Sequence, residues 1–490
     1  MNFSVWDGGG QSFVTSGTGN SIAVGYARVQ SSNADGRIPP AFALYGLRTR
    51  GVLVSETGVP AAPAMQAGRI FAEVNSTVNT GVAIANPNPE SAVVNFSFTD
   101  ASGEDFGLGS VTIPPNGQIA QFLTQPPFNA PSNLQGTFSF ASPVPIGVTA
   151  IRGLINEHGE FLMTTLRVSD TSATTSGGSA VLPYFADGGG WTTHVVLVNS
   201  TNTTISGTVQ FFGQGQTSGV ASPLTLQVNG QAAVTFNYSV PRQSAVKLVT
   251  DGISNDVIAG SVWVTTDPGS SLPSVMDIVS MRVQGVTVSE AGVFAEAVDR
   301  CQTETLPLGH CVEFHMYAET TSAAMAAGTI QTGVAIANLG SSETHVDFGL
   351  SLLNGLDTGL IATGRGIAAK GQATFLLHEL FPTLPLPFKG ILRIYSYNPY
   401  EPMSVVGLRA RYNERSNFLM TTTPPTEVFS KPTEMMFPQV VDSGGLDTQF
   451  VLQSSQRRYC HPFNCPRDII ASGTLSFTSQ SGQPLPLPIQ

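Results

Sequence analysis

Charge is what this sequence has least of. Asp, Glu, Lys and Arg make up only 11% of its 490 residues, where a soluble domain usually carries about 25%. Lysine occurs at just four positions, Lys247, Lys370, Lys389 and Lys431. Without a basic stripe the chain cannot neutralise a phosphate backbone, which excludes nucleic acid as a partner. A membrane-surface role through basic residues falls for the same reason. The formal net charge of −11 is spread thinly, with no acidic block.

Other absences narrow the field further. No apolar run approaches the roughly 20 residues of a membrane-spanning helix, so no membrane insertion is expected. The opening, Met-Asn-Phe-Ser-Val-Trp, lacks the basic and apolar regions of a secretory signal. There is no G-x-S-x-G elbow, no Walker lysine, no H-E-x-x-H and no C-x-x-C. His378-Glu379 begins like a zincin helix but runs straight into Leu-Phe-Pro. The seven histidines are scattered, and His158 and His194 sit beside turns where solvation is expected. The sequence therefore predicts no enzyme, no catalytic residue and no cofactor site.

Cysteine is scarce but arranged. The four fall into two local pairs, Cys301 with Cys311 and Cys460 with Cys465, which predicts two short-loop disulfides in an oxidising compartment. Zinc is the competing reading, since His310, His315 and His461 lie beside them. Neither segment has zinc-ligand spacing, and four ligands would have to converge from different modules.

Gly (51) and Pro (33) are plentiful, and internal repetition organises them. Thr80–Asn86, Thr-Gly-Val-Ala-Ile-Ala-Asn, returns unchanged at 332–338. Repetition at this scale means that one folding unit was copied. The first such unit, type A, adds Asn116-Gly117-Gln118, Arg152, Asn156-Glu157 and Phe161–Thr165. Its second copy carries Lys370-Gly371-Gln372, Arg409, Asn413-Glu414 and Phe418–Thr422 in the same order. A type B unit between them opens with Pro183 and Asp187-Gly188-Gly189 and ends with Arg282 and Val288-Ser289-Glu290. Its opening returns as Pro438 and Asp442-Ser443-Gly444, its ending as Arg48 and Val54-Ser55-Glu56. The predicted layout is thus 1–62, the C-terminal half of a B unit; 63–172, type A; 178–296, type B; 315–426, type A; and 432–490, the N-terminal half of a B unit.

Within units the apolar period is two. Val94, Phe96 and Phe98 alternate with Asn95 and Ser97, the pattern of a strand with one buried side. Asn-Gly at 116–117 and 229–230 supplies turn chemistry. The predicted fold is all-β, about eight strands per unit in two antiparallel layers, with 375–381 the best candidate for a helix. Val82-Ala83-Ile84-Ala85-Asn86-Pro87 and Pro114-Pro115-Asn116-Gly117 resemble turn signatures in the tandem Ig-like sandwich modules of large secreted bacterial surface proteins. That resemblance implies secretion and adhesion or scaffolding, with no catalytic residues to carry over.

The broken units at the two ends suggest a fragment of a longer array whose signal peptide lies upstream. A second expectation is that the C-terminal half of one molecule completes the N-terminal half of the next, building a filament. The repeated arginines are expected to bond to carbonyls or pair with Glu157 and Glu414. Asp187 and Asp442 could seed a Ca²⁺ site, though an Asx-turn explains them more simply. Trp191, beside a Gly-rich turn, is the candidate for glycan stacking, and the carbohydrate-binding alternative rests on it. Trp6 and Trp263 suit core packing. The loop with Arg457, Arg458, Tyr459, His461, Phe463 and Arg467 has no counterpart in the middle B unit and is the candidate partner contact. Expected partners are copies of itself, other surface proteins or glycans.

Overall fold

The computed structural model describes residues 1–17, 21–32, 38–172, 177–298, 312–396, 401–427, 434–454 and 469–489. The fold is all-β, with antiparallel strand pairing throughout the named strands. A short helix, Leu377–Leu380, falls within the stretch expected to be helical. Alternation does what the sequence pattern requires: Val94, Phe96 and Phe98 are buried while Asn95 is exposed.

The buried asparagines explain why the repeated strand ends as it does. Asn86 Nδ2 donates to the carbonyls of Glu90, Ile113 and Pro114, while its Oδ1 accepts from Asn88 N. Asn338 repeats this with Ser342, Ile367, Ala368 and Gly340 N, and Asn199 with Thr203, Val240, Pro241 and Thr201 N. Each amide spends donors and acceptor on backbone groups that would otherwise be buried unpaired, a loss worth about 1–3 kcal/mol apiece. The asparagine carries the turn, which is why Leu339 can stand where Pro87 stands in the first copy.

Sheets associate in pairs. A five-stranded sheet containing Ser179–Asp187, Ile205–Gly213 and Ile258–Thr266 shares one core with a four-stranded sheet containing Trp191–Val198, Ser274–Val283 and Val286–Phe294. Residues 313–427 repeat this with a five- and a four-stranded sheet. In 64–170 the two layers are joined instead. The 22-residue strand Leu134–Ile155 shifts register between Ala141 and Ile146 and serves both, giving one eight-stranded sheet.

The two ends of the chain form the remaining pair together. One sheet runs Asn2–Trp6, Ile469–Ser479, Ala23–Ser31, Met435–Asp442, alternating early and late strands. The other runs Gly10–Val14, Leu446–Gln453, Ala41–Thr49, Val52–Pro60. Side-chain bonds match those of the middle pair position by position. Asp442 Oδ1 accepts from Gly17 N at 2.8 Å as Asp187 Oδ1 does from Gly252 N at 2.9 Å. Thr448 N donates to Thr15 Oγ1 at 3.0 Å as Thr193 N does to Thr250 Oγ1 at 2.9 Å. The filament expectation required open edges on both terminal halves. Those edges are paired within one chain, so the head-to-tail arrangement is corrected to an internal closure.

Candidate functional site

The residues that repeat along the sequence meet at the joints between sheet pairs. Four strands, Val52–Pro60, Phe161–Leu166, Val286–Phe294 and Phe418–Thr423, pack in a closed cycle, each touching the next. Ser55 Oγ accepts from Met163 N and Ser289 Oγ from Met420 N, both at 2.8 Å. Thr165 Oγ1 donates to Gly58 O at 2.8 Å and Thr422 Oγ1 to Gly292 O at 2.6 Å. Gly58 and Gly292 are required by this approach. A Cβ on Gly58 would lie 2.0 Å from Thr422 O, and one on Gly292 2.5 Å from Thr165 O.

Two joints of one kind bury charge. Arg409 donates to Glu56 Oε1 at 2.7 Å and Glu319 Oε2 at 2.8 Å, tying 313–427 to the terminal pair. Burial opposes its charge, but Glu56 and Glu319 together hold its pKa above the usual arginine value. Burial alone would raise Glu319, yet Arg409 and Lys389 bring its carboxyl below the usual range. At the sister joint Arg152 lies 3.1 Å from Glu290 Oε2 and 3.5 Å from Glu73 Oε2, and Lys247 binds Glu73 at 2.6 Å. Around each cluster runs an outer clamp. Glu157 takes Arg282 and Thr287 N, and Asn156 Nδ2 donates to Thr287 O. Glu414 takes Arg48 and Leu53 N, and Asn413 Nδ2 donates to Leu53 O.

The other two joints use the repeated glutamine. Gln118 Nε2 donates to Pro438 O at 3.0 Å, and Gln372 Nε2 to Pro183 O at 3.1 Å. Cores also run through the joints: Val196, Met276 and Ile278 belong to the core of 64–170, and Ala335, Leu408 and Met420 to that of 179–297.

Arg48 and Arg282 therefore pair with Glu414 and Glu157 as the sequence suggested. Arg152 and Arg409 do not; they are buried against Glu290, Glu73, Glu56 and Glu319, acids that sequence reasoning missed. The repetition of Val-Ser-Glu at 54–56 and 288–290 was the available signal. His158 is exposed, whereas His194 is half-buried beside the Glu73 cluster rather than solvated. Burial, with Lys247 and Arg152 nearby, pulls its pKa down to about 4. Asp187 and Asp442 each serve the backbone bonds described above, and no cluster of three or more His, Cys, Asp or Glu suited to a metal occurs among the described residues. Trp191 is half-buried and edge-on to Phe418 at 5.9 Å. Trp263 is buried against Phe212 with Lys370 Nζ 5.3 Å from its ring, and Trp6 is half-buried. Cys301, Cys311, Cys460 and Cys465 lie outside the described residues. So do Arg457, Arg458, Tyr459, His461, Phe463 and Arg467.

No family model matches the chain, and no curated protein matches it. Among solved structures, one from Thermotoga maritima, described as Thermotoga maritima 1070, aligns at 14% identity and a TM-score of 0.19 over 21% of this chain and 92% of its own. The Anabaena sensory rhodopsin transducer aligns at 18% identity and a TM-score of 0.17 over 18% and 97%. At these scores neither bears on fold or function. No helix of the described residues is long and apolar enough to cross a membrane, which leaves a β-barrel crossing unaddressed.

Proposed function

We propose that the chain is an extracellular structural or adhesive protein, built of Ig-like β-sandwiches of two alternating types closed into a cycle. The observation that carries this reading is where the repeated residues go. Arg152, Arg409, Glu157, Glu414, Gln118 and Gln372 all bond across joints. Repetition is thereby spent on holding a rigid frame, leaving the loops between strands to differ and to make contacts. Merged cores and buried joint charges favour a single stiff body over beads on a flexible string.

The proposal is tested by immobilising the whole chain and offering it glycans, matrix proteins and cells, with an antibody locating it in fractions of the producing organism. Adhesion to one of these surfaces with the protein outside the cytoplasm is expected. A strictly cytoplasmic protein that adheres to nothing would overturn the reading.

A further inference from the structure

The cycle contains two glutamine joints, and the differences between them single out a cleft. At the joint of Gln372, residues 214–223 form a loop that lies along 366–372. Gly215 N donates to Gln372 O, Ala368 N to Gln216 O, Ala369 N to Gly219 O and Ala221 N to Ala369 O, all at 2.9–3.0 Å. At the Gln118 joint the equivalent loop, 480–484, is half as long and touches 117–118. The longer loop raises a wall, and between it and the strands 344–352, 357–367 and 372–376 lies a cavity of about 790 Å³.

Its lining is individual to this joint. Glu343, His345, Arg365 and Phe375 line it, and strand register places Ser91, Val93, Val111 and Gln121 at the same positions of the other joint. Frame-building residues recur in both copies; these do not. The side chains of Arg365 and His345 are exposed and have no hydrogen-bond or ion-pair partner among the described residues. Apart from Arg50, every other described arginine is engaged, for instance Arg28 with Glu434, Arg69 with Asn199 O and Arg393 with Glu313.

The wall also decides how a ligand could be held. Ala368 and Ala369 have given their N–H groups to the loop, and a Cβ on Gly366 would lie 2.7 Å from Thr217 O. An extended peptide cannot add to a strand edge whose donors are taken. Recognition must come from side chains: a guanidinium and a carboxylate, hydroxyls of Thr217, Ser218 and Thr374, and one half-buried aromatic ring. Donors and acceptors in balance beside an aromatic face suit the alternating hydroxyls and C–H face of a sugar. One arginine beside one glutamate, on a chain of net charge −11, does not suit a polyanion.

We propose that this cleft binds a neutral saccharide, with Arg365 and Glu343 holding hydroxyls and Phe375 packing against the ring. The inference rests on the adhesive reading. The whole chain is applied to a panel of neutral and acidic glycans, and the strongest neutral glycan is titrated calorimetrically against wild type, Arg365→Ala, Glu343→Gln and Trp191→Ala. Both cleft substitutions are at exposed positions, and circular dichroism checks their fold. Wild type is expected to bind a neutral glycan, with affinity falling about tenfold or more in each cleft variant, the loss of one charged hydrogen bond, and unchanged in Trp191→Ala. Glycan binding unaffected by the cleft variants, or confined to acidic glycans, overturns the inference and leaves adhesion standing. Adhesion only to proteins does the same, whereas adhesion to nothing removes both.

Discussion

Removing residues 434–490 should unfold residues 1–60 while leaving the rest of the chain folded. Early and late strands alternate in one sheet of the terminal pair, and in the other only Ala41–Thr49 and Val52–Pro60 are neighbours from the same half, so neither half contains a complete sheet. Among the described strands, Asn2–Trp6 pairs only with Ile469–Ser479, and Gly10–Val14 only with Leu446–Gln453. Deletion removes Phe437, Val440, Phe450, Leu452 and Leu475 from the core that also holds Phe3, Val5, Val29 and Tyr45. Each large apolar side chain contributes about 1.5–3 kcal/mol on burial. The loss is therefore roughly 10 kcal/mol, comparable with the whole stability of a typical domain, about 5–15 kcal/mol. Hydrogen exchange resolved by peptide is the assay. Amides of 3–5 and 42–46 should lose protection by orders of magnitude, while 193–198 and 334–337 keep theirs. Adding the missing segment in trans should restore protection through the same pairings. Unchanged protection in 1–60 after deletion would refute the interleaved closure.

Four other outcomes follow from the joints and the buried groups. Arg409→Met takes the shared cation from Glu56 and Glu319, leaving them only Arg411 and Lys389, and should cost about 1.5–3 kcal/mol, the worth of a charged hydrogen bond; adding Glu56→Gln and Glu319→Gln should restore most of it in denaturant titrations. Gly292→Ala places a methyl against Thr165 O and should cost about 1–3 kcal/mol, whereas Gly349→Ala, with nothing near its Cβ, should leave the melting temperature almost unmoved. Asp277 is fully buried where the terminal pair has Ala43, and burial drives its carboxyl well above the usual range, only partly offset by the Val293 backbone. Because its folded pKa is raised, it destabilises increasingly as pH rises above the unfolded value. Asp277→Ala should thus gain up to about 1.4 kcal/mol per pH unit over wild type between the unfolded carboxyl value and the raised folded one, and no more beyond it; a gap independent of pH would contradict this. His194 has the opposite sense. Its folded pKa of about 4 lies below the ordinary 6.5, so stability is lost as pH falls between them, up to about 3 kcal/mol, and His194→Gln should flatten that limb of the stability profile.

Strand content and turn positions were legible because they are local properties. Alternation at 94–98 and the left-handed turn residues Asn116 and Asn229 read directly from the sequence, and the structure gives both asparagines positive φ. Lys370 adopts the same conformation at φ 58° where the sequence no longer offers Asn, a case only its register in the repeat could reveal. The layers of 64–170 were expected as separate sheets, but Ala141 to Ile146 carries the chain across as one strand. Cross-joint partners were not legible, since Arg409 and Glu56 are 353 residues apart and repetition marks both without pairing them. The same blindness made two complementary halves look like surfaces for another molecule.

The internal comparison separates what holds the frame from what the frame presents. A position filled alike in both copies is answering a constraint that both copies share, and Ser55 with Ser289, or Glu157 with Glu414, show what those constraints are: one hydroxyl or carboxylate per joint, satisfied by a backbone N–H on the neighbour. A polar position that differs between copies is free of that demand and costs stability or nothing, unless it does something else. Asp277 is such a position inside the core, where an unpaired carboxyl can only destabilise. Arg365 and His345 are such positions on the surface, where water offsets the cost and a ligand can use the charge. Selection for stability alone would tend to remove the first and is indifferent to the second, so a closed frame of near-equivalent joints concentrates the search for function on the few places where equivalence fails.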